Sequence, residues 1–381
     1  MKFFINSYFG DNQSIGLLSH IKKRLPYGMD DQWMVFSHYT ERGWTVDNLW
    51  HIFTDFYGGQ YAPLAFLSYL VLYAGFGYDP FYFHMFSLLL HIGCVCLVWK
   101  LISSLLRVHG GVSEKQILYV NFITTLLFAV HPINVEAVAW ISALKVLLYA
   151  FFYLLGLLCY LRYIRTSKIF YYVLTIGCFL CSFWGKEQAV TFPLALLIVD
   201  WFTNRNMKNL EVWSEKMSFL IMAFFFGIIT VLSQGKGPYE MIFPLYQRLL
   251  FGCFALVEYI TKSLLPVNLN FFYPFPIVLG EEPPLHYYLY PVVLLFLMGW
   301  IIAYRNNRYL VFGVLLFLVN LLFSIHLFNM SRHAIVADRY MYLSYVGIAF
   351  LIANGIWWLR KRLSYFKAAL VFLFFYCFFL S

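Results

Sequence analysis

Two adjacent carboxylates, Asp30 and Asp31 in the run MDDQWMV, are the first residues along the chain whose pairing suits chemistry. One acid of such a pair can ionise and act as a general base while the other orients a substrate or binds a cation. Further ionisable groups recur where later apolar runs break: His131-Pro132 with Glu136, Lys186-Glu187, and Asp338-Arg339-Tyr340. Arg339, Lys186 and Arg248 are the cations suited to an anion such as a phosphate, arginine through its fork and lysine as a point charge. A short helix beginning near Asn134 would turn its positive end toward the same anion. His131, Glu136, Glu187, Asp338 and Tyr61 are then positioning groups around that anion. Each feature also has a plain reading: a solvated loop pair at Asp30-Asp31, an ion pair of Arg339 with Asp338 or of Lys186 with Glu187, and a headgroup-facing turn from His131 to Glu136.

The elements that must position these groups are membrane helices. Of 381 residues, 62% are hydrophobic, 22% aromatic and only 12% charged. A soluble fold of this length does not hide so much apolar surface. Repeated apolar runs of about 18 residues or more predict an all-α polytopic membrane protein, a bundle of about ten or eleven helices. The expected helices are 62–76, 80–106, 116–131, 143–164, 169–185, 187–203, 215–233, 245–265, 286–304, 309–328, 340–359 and 365–381. An irregular first outer loop, 28–79, carries the acidic pair. The net charge of +9 does not gather into a basic face or a basic soluble module, so nucleic acid is excluded as a partner. The seven cysteines all fall inside apolar runs, where they read as small core residues. His84 and His91, two helical turns apart, read as polar packing between helices rather than a metal site.

Lys and Arg concentrate in five breaks: Arg107 and Lys115; Arg162, Arg165 and Lys168; Arg205, Lys208 and Lys216; Arg305 and Arg308; and Arg360, Lys361 and Arg362. The positive-inside rule assigns all five to the cytoplasmic side. The breaks holding His131 to Glu136, Lys186-Glu187 and Asn329 to Arg339 then share the opposite face. Two segments do not fit simple alternation. Residues 245–265, with Arg248, Glu258 and Lys262, must lie at the outer interface or dip in and back, inside an outer region spanning 234–285. Residues 62–76 are marginal for a core about 30 Å thick: lying along the surface they put Asp30-Asp31 outside, and spanning they put the pair on the cytoplasmic side.

Four blocks carry a family likeness: GQYAPLAFLSYLVLYAGFGYDPFYFHMFSLLLH (59–91), LFAVHPINVEAVAWIS (127–142), GKEQAVTFPLALLIVD (185–200) and ADRYMYLSYVG (337–347). In this order they resemble the membrane portion of the transmembrane and TPR-repeat O-mannosyltransferases and their bacterial relatives, of type C glycosyltransferase architecture. The resemblance implies a transferase that takes mannose or a similar hexose from a polyprenyl-phosphate carrier and passes it to a hydroxyl acceptor, a protein Ser/Thr or a glycan. It implies catalysis on the extracytoplasmic face by the acidic pair of the first outer loop, which matches Asp30 and Asp31. The implied setting is the inner membrane of a bacterium or the endoplasmic reticulum of a eukaryote. Within this comparison, residues 1–27 form a segment lacking the family's first membrane helix and residues 28–381 form the transferase-like domain, with no TPR domain. The stretch after the HP-x-x-x-E-A block departs from the family, reading Ala143-Leu144-Lys145-Val146 without the usual acid. Apart from membrane lipids, the lipid-linked sugar donor and the acceptor, no cofactor or metal ligand is assigned. Two other readings fit a polytopic chain: a transporter or flippase of lipid-linked substrates, and a catalytically inactive truncated relative.

Overall fold

The computed structural model describes residues 31–234, 243–327 and 334–360, and these residues form a helical membrane bundle. Three short helices, α1 (Asp31–Met34), α2 (His38–Glu41) and α3 (Val46–Thr54), occupy the first outer loop, giving regular structure to a segment expected to be irregular. They lead into α4 (Pro63–Phe76), α5 (Pro80–His109) and α6 (Glu114–Val130). After a single 3-10 turn at Pro132–Asn134 come α7 (Val135–Ala139), α8 (Leu144–Thr166), α9 (Ile169–Gly185), α10 (Phe192–Phe202) and α11 (Leu210–Gln234). The remaining helices are α12 (Leu245–Leu264), α13 (Tyr290–Ala303), α14 (Arg308–Leu321) and α15 (Met341–Arg360). A small antiparallel pair joins β1 (Tyr273–Pro274) to β2 (Ala334–Val336).

Among the described residues, five helical stretches are long and apolar enough to cross a membrane: Pro80–His109, Ile141–Thr166, Leu210–Ser233, Leu285–Ala303 and Asp338–Arg360. The α6 to α7 stretch, bent by 50° at the His131-Pro132 break, makes a sixth where the bent pair counts as one span. Proline lacks a backbone donor and cannot continue the ladder, so the chain turns there. Local signals set the other ends. Asp79 caps α5 by accepting from Phe81 N at 3.0 Å, with Pro80 in the first turn, and Gly110, at φ 77°, follows its end. Asn307 caps α14 through two amides, Tyr309 N at 3.1 Å and Leu310 N at 3.2 Å.

Contacts between the helix ends sort the loops into two sets. At one end, His109 Nδ1 meets Phe202 O at 2.8 Å, Arg165 donates to Ser104 O at 3.2 Å, Arg308 reaches the Asn204 side chain, and Arg360 lies over Tyr119. These are the basic breaks. At the other end, Tyr69 OH donates to Ile141 O at 2.9 Å, Tyr61 packs on Phe183, and Gln188 donates to Ser324. Helix α4 starts and finishes at this second end, since Tyr61 before it touches Phe183 and Tyr78 after it packs on Phe36 at 4.7 Å. It lies across the bundle rather than through it. So does α12, one continuous helix without a dip: Gln247 donates to Glu281 O, and the Tyr259 hydroxyl accepts from Ala337 N at 3.1 Å.

Two close approaches fix the geometry of the second end. A Cβ on Gly185 would stand 2.7 Å from Tyr149 N, so α9 ends against the start of α8, where Ser182 also donates to Tyr149 O at 2.9 Å. A Cβ on Gly347 would stand 2.5 Å from Gly313 O, so α14 and α15 cross almost backbone to backbone, as small residues allow between membrane helices. The result is that Lys186, Asp338 and the Ile141–Ala143 turn emerge beside one another.

Candidate functional site

Helix α1 holds Asp31, which is 4% exposed. Its Oδ1 accepts from the Ser142 amide at 3.0 Å and from the Ser142 hydroxyl. The Ile141–Ala143 turn presents that amide because Tyr69 pins Ile141 O and because α8 begins one residue after the turn. Asp30 lies outside the described residues. One helical turn beyond Ser142, Lys145 is 6% exposed and donates to Gln60 Oε1 at 2.5 Å, with Met34 Sδ 3.7 Å away. Gln60 belongs to the bridge Tyr57–Gln60 that closes the first outer loop.

Two residues before Ser142, Trp140 lies under Arg339, whose guanidinium carbon is 4.9 Å from the indole ring. Arg339 is bound to Glu136, not to its neighbour Asp338: its Nη1 donates to Oε1 at 2.5 Å and its amide to Oε2 at 2.7 Å. Tyr340 stands between two cations, with Lys186 Nζ 4.7 Å from its ring and the Arg339 guanidinium at 5.1 Å. A cation over an aromatic face is held electrostatically without losing its charge. Lys186 is buried and forms no ion pair with Glu187, which stands half-buried at the start of the Glu187–Thr191 turn.

Asp338 turns the other way. It accepts from Tyr273 OH at 2.9 and 3.1 Å, and Lys262 donates to the same hydroxyl at 2.8 Å. Burial pushes the Lys262 ammonium below the ordinary lysine value, while Asp338 opposes that shift. Burial, and next the Asp338 carboxylate, push the Tyr273 phenol well above its ordinary value, so it stays a neutral donor to Asp338. On α12, Arg248 is half-buried and its Nε has no hydrogen-bond partner among the described residues.

The structure thus brings Asp31, Glu136, Lys186, Asp338 and Arg339 to one end of the bundle. His131 points elsewhere: its Nδ1 accepts from Ile133 N at 3.2 Å and its ring packs 4.3 Å from Tyr345. It caps the turn after α6. The half-buried Tyr61 donates to Phe53 O at 3.0 Å and packs on Phe183, a brace for the first outer loop. His91 bridges helices through Tyr342 OH at 2.7 Å and Ala129 O at 3.2 Å. Ser142, Lys145, Gln60, Trp140, Tyr273 and Lys262 are site residues that the sequence reading did not select. Lys145 and Lys262 carried a signal, as cations inside apolar runs.

The chain is similar to several curated proteins over part of its length. It is 32% identical over 189 residues to protein O-mannosyl-transferase TMTC2 of Mus musculus, covering 45% of this chain and 21% of that relative. It is 30% identical over 203 residues to the Xenopus laevis tmtc2 protein, 49% and 23% respectively, and 28% identical over 172 residues to Drosophila melanogaster Tmtc3, 40% and 18%. The matched stretch is about a fifth of the length of these relatives. No family profile and no solved structure matches the chain. Over less than half of its length, then, this all-α membrane chain is similar in sequence to the TMTC protein O-mannosyl-transferases.

Proposed function

We propose that this chain is an integral-membrane glycosyltransferase that moves mannose or a similar hexose from a polyprenyl-phosphate carrier to a hydroxyl acceptor, a protein Ser/Thr or a glycan, on the extracytoplasmic face. The observation that carries this reading is convergence: an acid from α1, cations from the loops after α9 and before α15, and the α6–α8 connection meet at the end opposite the basic breaks. The charge rule for loops favours the extracytoplasmic side for that end.

In this reading the acidic pair takes the proton of the acceptor hydroxyl. The acceptor oxygen attacks the anomeric carbon, and the bond to the carrier phosphate breaks, leaving its electron pair on the phosphate. Ser142 donates two hydrogen bonds to Asp31 Oδ1, which fix the orientation of that carboxyl group. Asp30 is assigned as the base and Asp31 as its partner. Lys186 and Arg339, held over Tyr340, offset the charge that grows on the departing phosphate. Arg248 supplies a further donor, its buried Nε being unpaired among the described residues. Glu136 keeps Arg339 in place, and Asp338 is drawn off into the pairing with Tyr273 and Lys262.

The test is transfer from a polyprenyl-phosphate hexose in proteoliposomes. Asp30→Asn and Asp31→Asn are each expected to lower turnover by about a hundredfold or more with insertion unchanged. Full turnover in both variants rejects the assigned acids, and flux of the lipid-linked sugar without covalent product rejects transfer altogether.

A further inference from the structure

The first outer loop contains an open depression of about 380 Å³, lined by His38, Tyr39, Thr54, Asp55, Phe56 and Tyr57. None of these residues belongs to the site described above. The depression is built from α2, the end of α3 and the turn that follows, and an internal network holds its walls. Asp55 Oδ2 accepts from Tyr39 OH at 2.9 Å and pairs with His51 Nδ1 at 3.1 Å. The His38 ring lies 3.9 Å from Tyr39 and meets Tyr57 edge-on at 5.2 Å, while Tyr57 in turn packs on Trp33 at 6.0 Å.

That network leaves a defined set of polar atoms for a visitor. Among the described residues, Asp55 Oδ1 and both ring nitrogens of His38 have no hydrogen-bond partner. Thr54 spends its proton on Trp50 O at 2.9 Å and keeps acceptor capacity. Burial, followed by the nearby Arg42, lowers the His38 pKa, so the ring is neutral at pH 7 and offers one donor and one acceptor. The lining therefore combines aromatic walls with a carboxylate and no Lys or Arg.

Those features discriminate between ligands. A carboxylate without a lining cation repels a phosphate, so the carrier end of the donor does not belong here. An extended peptide needs a row of backbone partners, and among the described residues the only ladder near the depression is the single bridge Tyr57–Gln60. A pyranose ring presents apolar C–H faces to aromatic walls and a rim of hydroxyls to carboxylate, imidazole and hydroxyl oxygens. The volume lies at the low end of the ~300–1,000 Å³ common for ligand pockets.

We infer that this depression is a subsite for a neutral hexose ring of the acceptor, next to the transfer site. Tyr57 forms part of its lining and bridges to Gln60, which holds Lys145 of the transfer site. The acceptor role rests on the transferase reading, whereas the binding itself does not.

The experiment measures binding of methyl α-D-mannopyranoside to the purified full chain in detergent by saturation-transfer NMR, with no donor present. Saturable binding is expected, weakened roughly tenfold by Asp55→Asn and by His38→Gln. Thr54→Val is expected to weaken it severalfold and serves if either of the other variants fails to fold. Absence of saturable binding overturns the inference, as does unchanged affinity in the variants. So does hexose 1-phosphate binding as tightly as the methyl glycoside, or a Ser/Thr peptide saturating the depression in its place. Loss of transfer in the Asp30 and Asp31 variants with sugar binding retained separates the two claims.

Discussion

Glu136 holds Arg339 by two bonds across 203 residues of sequence, taking the guanidinium at 2.5 Å on one oxygen and the backbone amide at 2.7 Å on the other. The pair fastens the turn ahead of α15 to α7, in the bent half of the α6 crossing. With side chains only 4% and 16% exposed, neither charge has water to replace a lost partner. Glu136→Gln is therefore expected to destabilise the protein by about 3–5 kcal/mol, read as a lower apparent unfolding temperature in detergent. Arg339→Lys keeps the charge but loses the planar fork and should fall between that variant and the parent. Equal melting of all three proteins would remove the pair from the framework of the site.

Ser142 contacts Asp31 through both its amide and its hydroxyl. Ser142→Ala removes the hydroxyl and leaves the amide. Loss of one hydrogen bond to a charged group costs about 1.5–3 kcal/mol, so transfer should fall roughly ten- to a hundredfold. The hexose affinity of the first-loop depression should not change. Transfer at the parent rate would mean that the Ser142 hydroxyl does not tune the acid.

At the opposite end, Lys216 and Asp200 are both fully buried and bound to one another, and Glu215, Arg205 and Tyr160 complete the network. Two cations face two carboxylates, so the group is neutral as a whole. Lys216→Met leaves Asp200 and Glu215 facing Arg205 alone and should lower stability by about 3–5 kcal/mol. Because the network is remote from Asp31, turnover per folded molecule should stay near the parent value. A fall in turnover without a fall in melting temperature would contradict that separation.

Sidedness gives a prediction independent of chemistry. Trp44 is 55% exposed in the first outer loop, and Lys208 is exposed in the break between α10 and α11. Cysteines placed at these positions should react with an impermeant maleimide from opposite faces of intact cells or microsomes, position 44 on the extracytoplasmic side. Labelling of both from one side would invalidate the orientation on which the transfer reading depends.

The sequence by itself determined the class, an all-α polytopic membrane protein; it expected a bundle of about ten or eleven helices, whereas five described stretches, or six if the bent pair is one span, are long and apolar enough to cross. Apolar runs with capped ends can satisfy their backbones in lipid only as helices, and Lys and Arg mark one set of loops. It read 245–265 as lying at the outer interface or dipping in and back, because both neighbours placed its ends on one face. Only the tertiary structure decided who binds whom. Adjacent pairs that looked like ion pairs, Asp338-Arg339 and Lys186-Glu187, are split: Arg339 goes to Glu136, Asp338 to Tyr273, and Lys186 to the ring of Tyr340. Nothing in composition or period foretells a partner 203 residues away. That partner was set by where α9 stops against α8 at Gly185 and by how closely Gly347 lets α15 approach α14, and these are facts of packing rather than of local pattern.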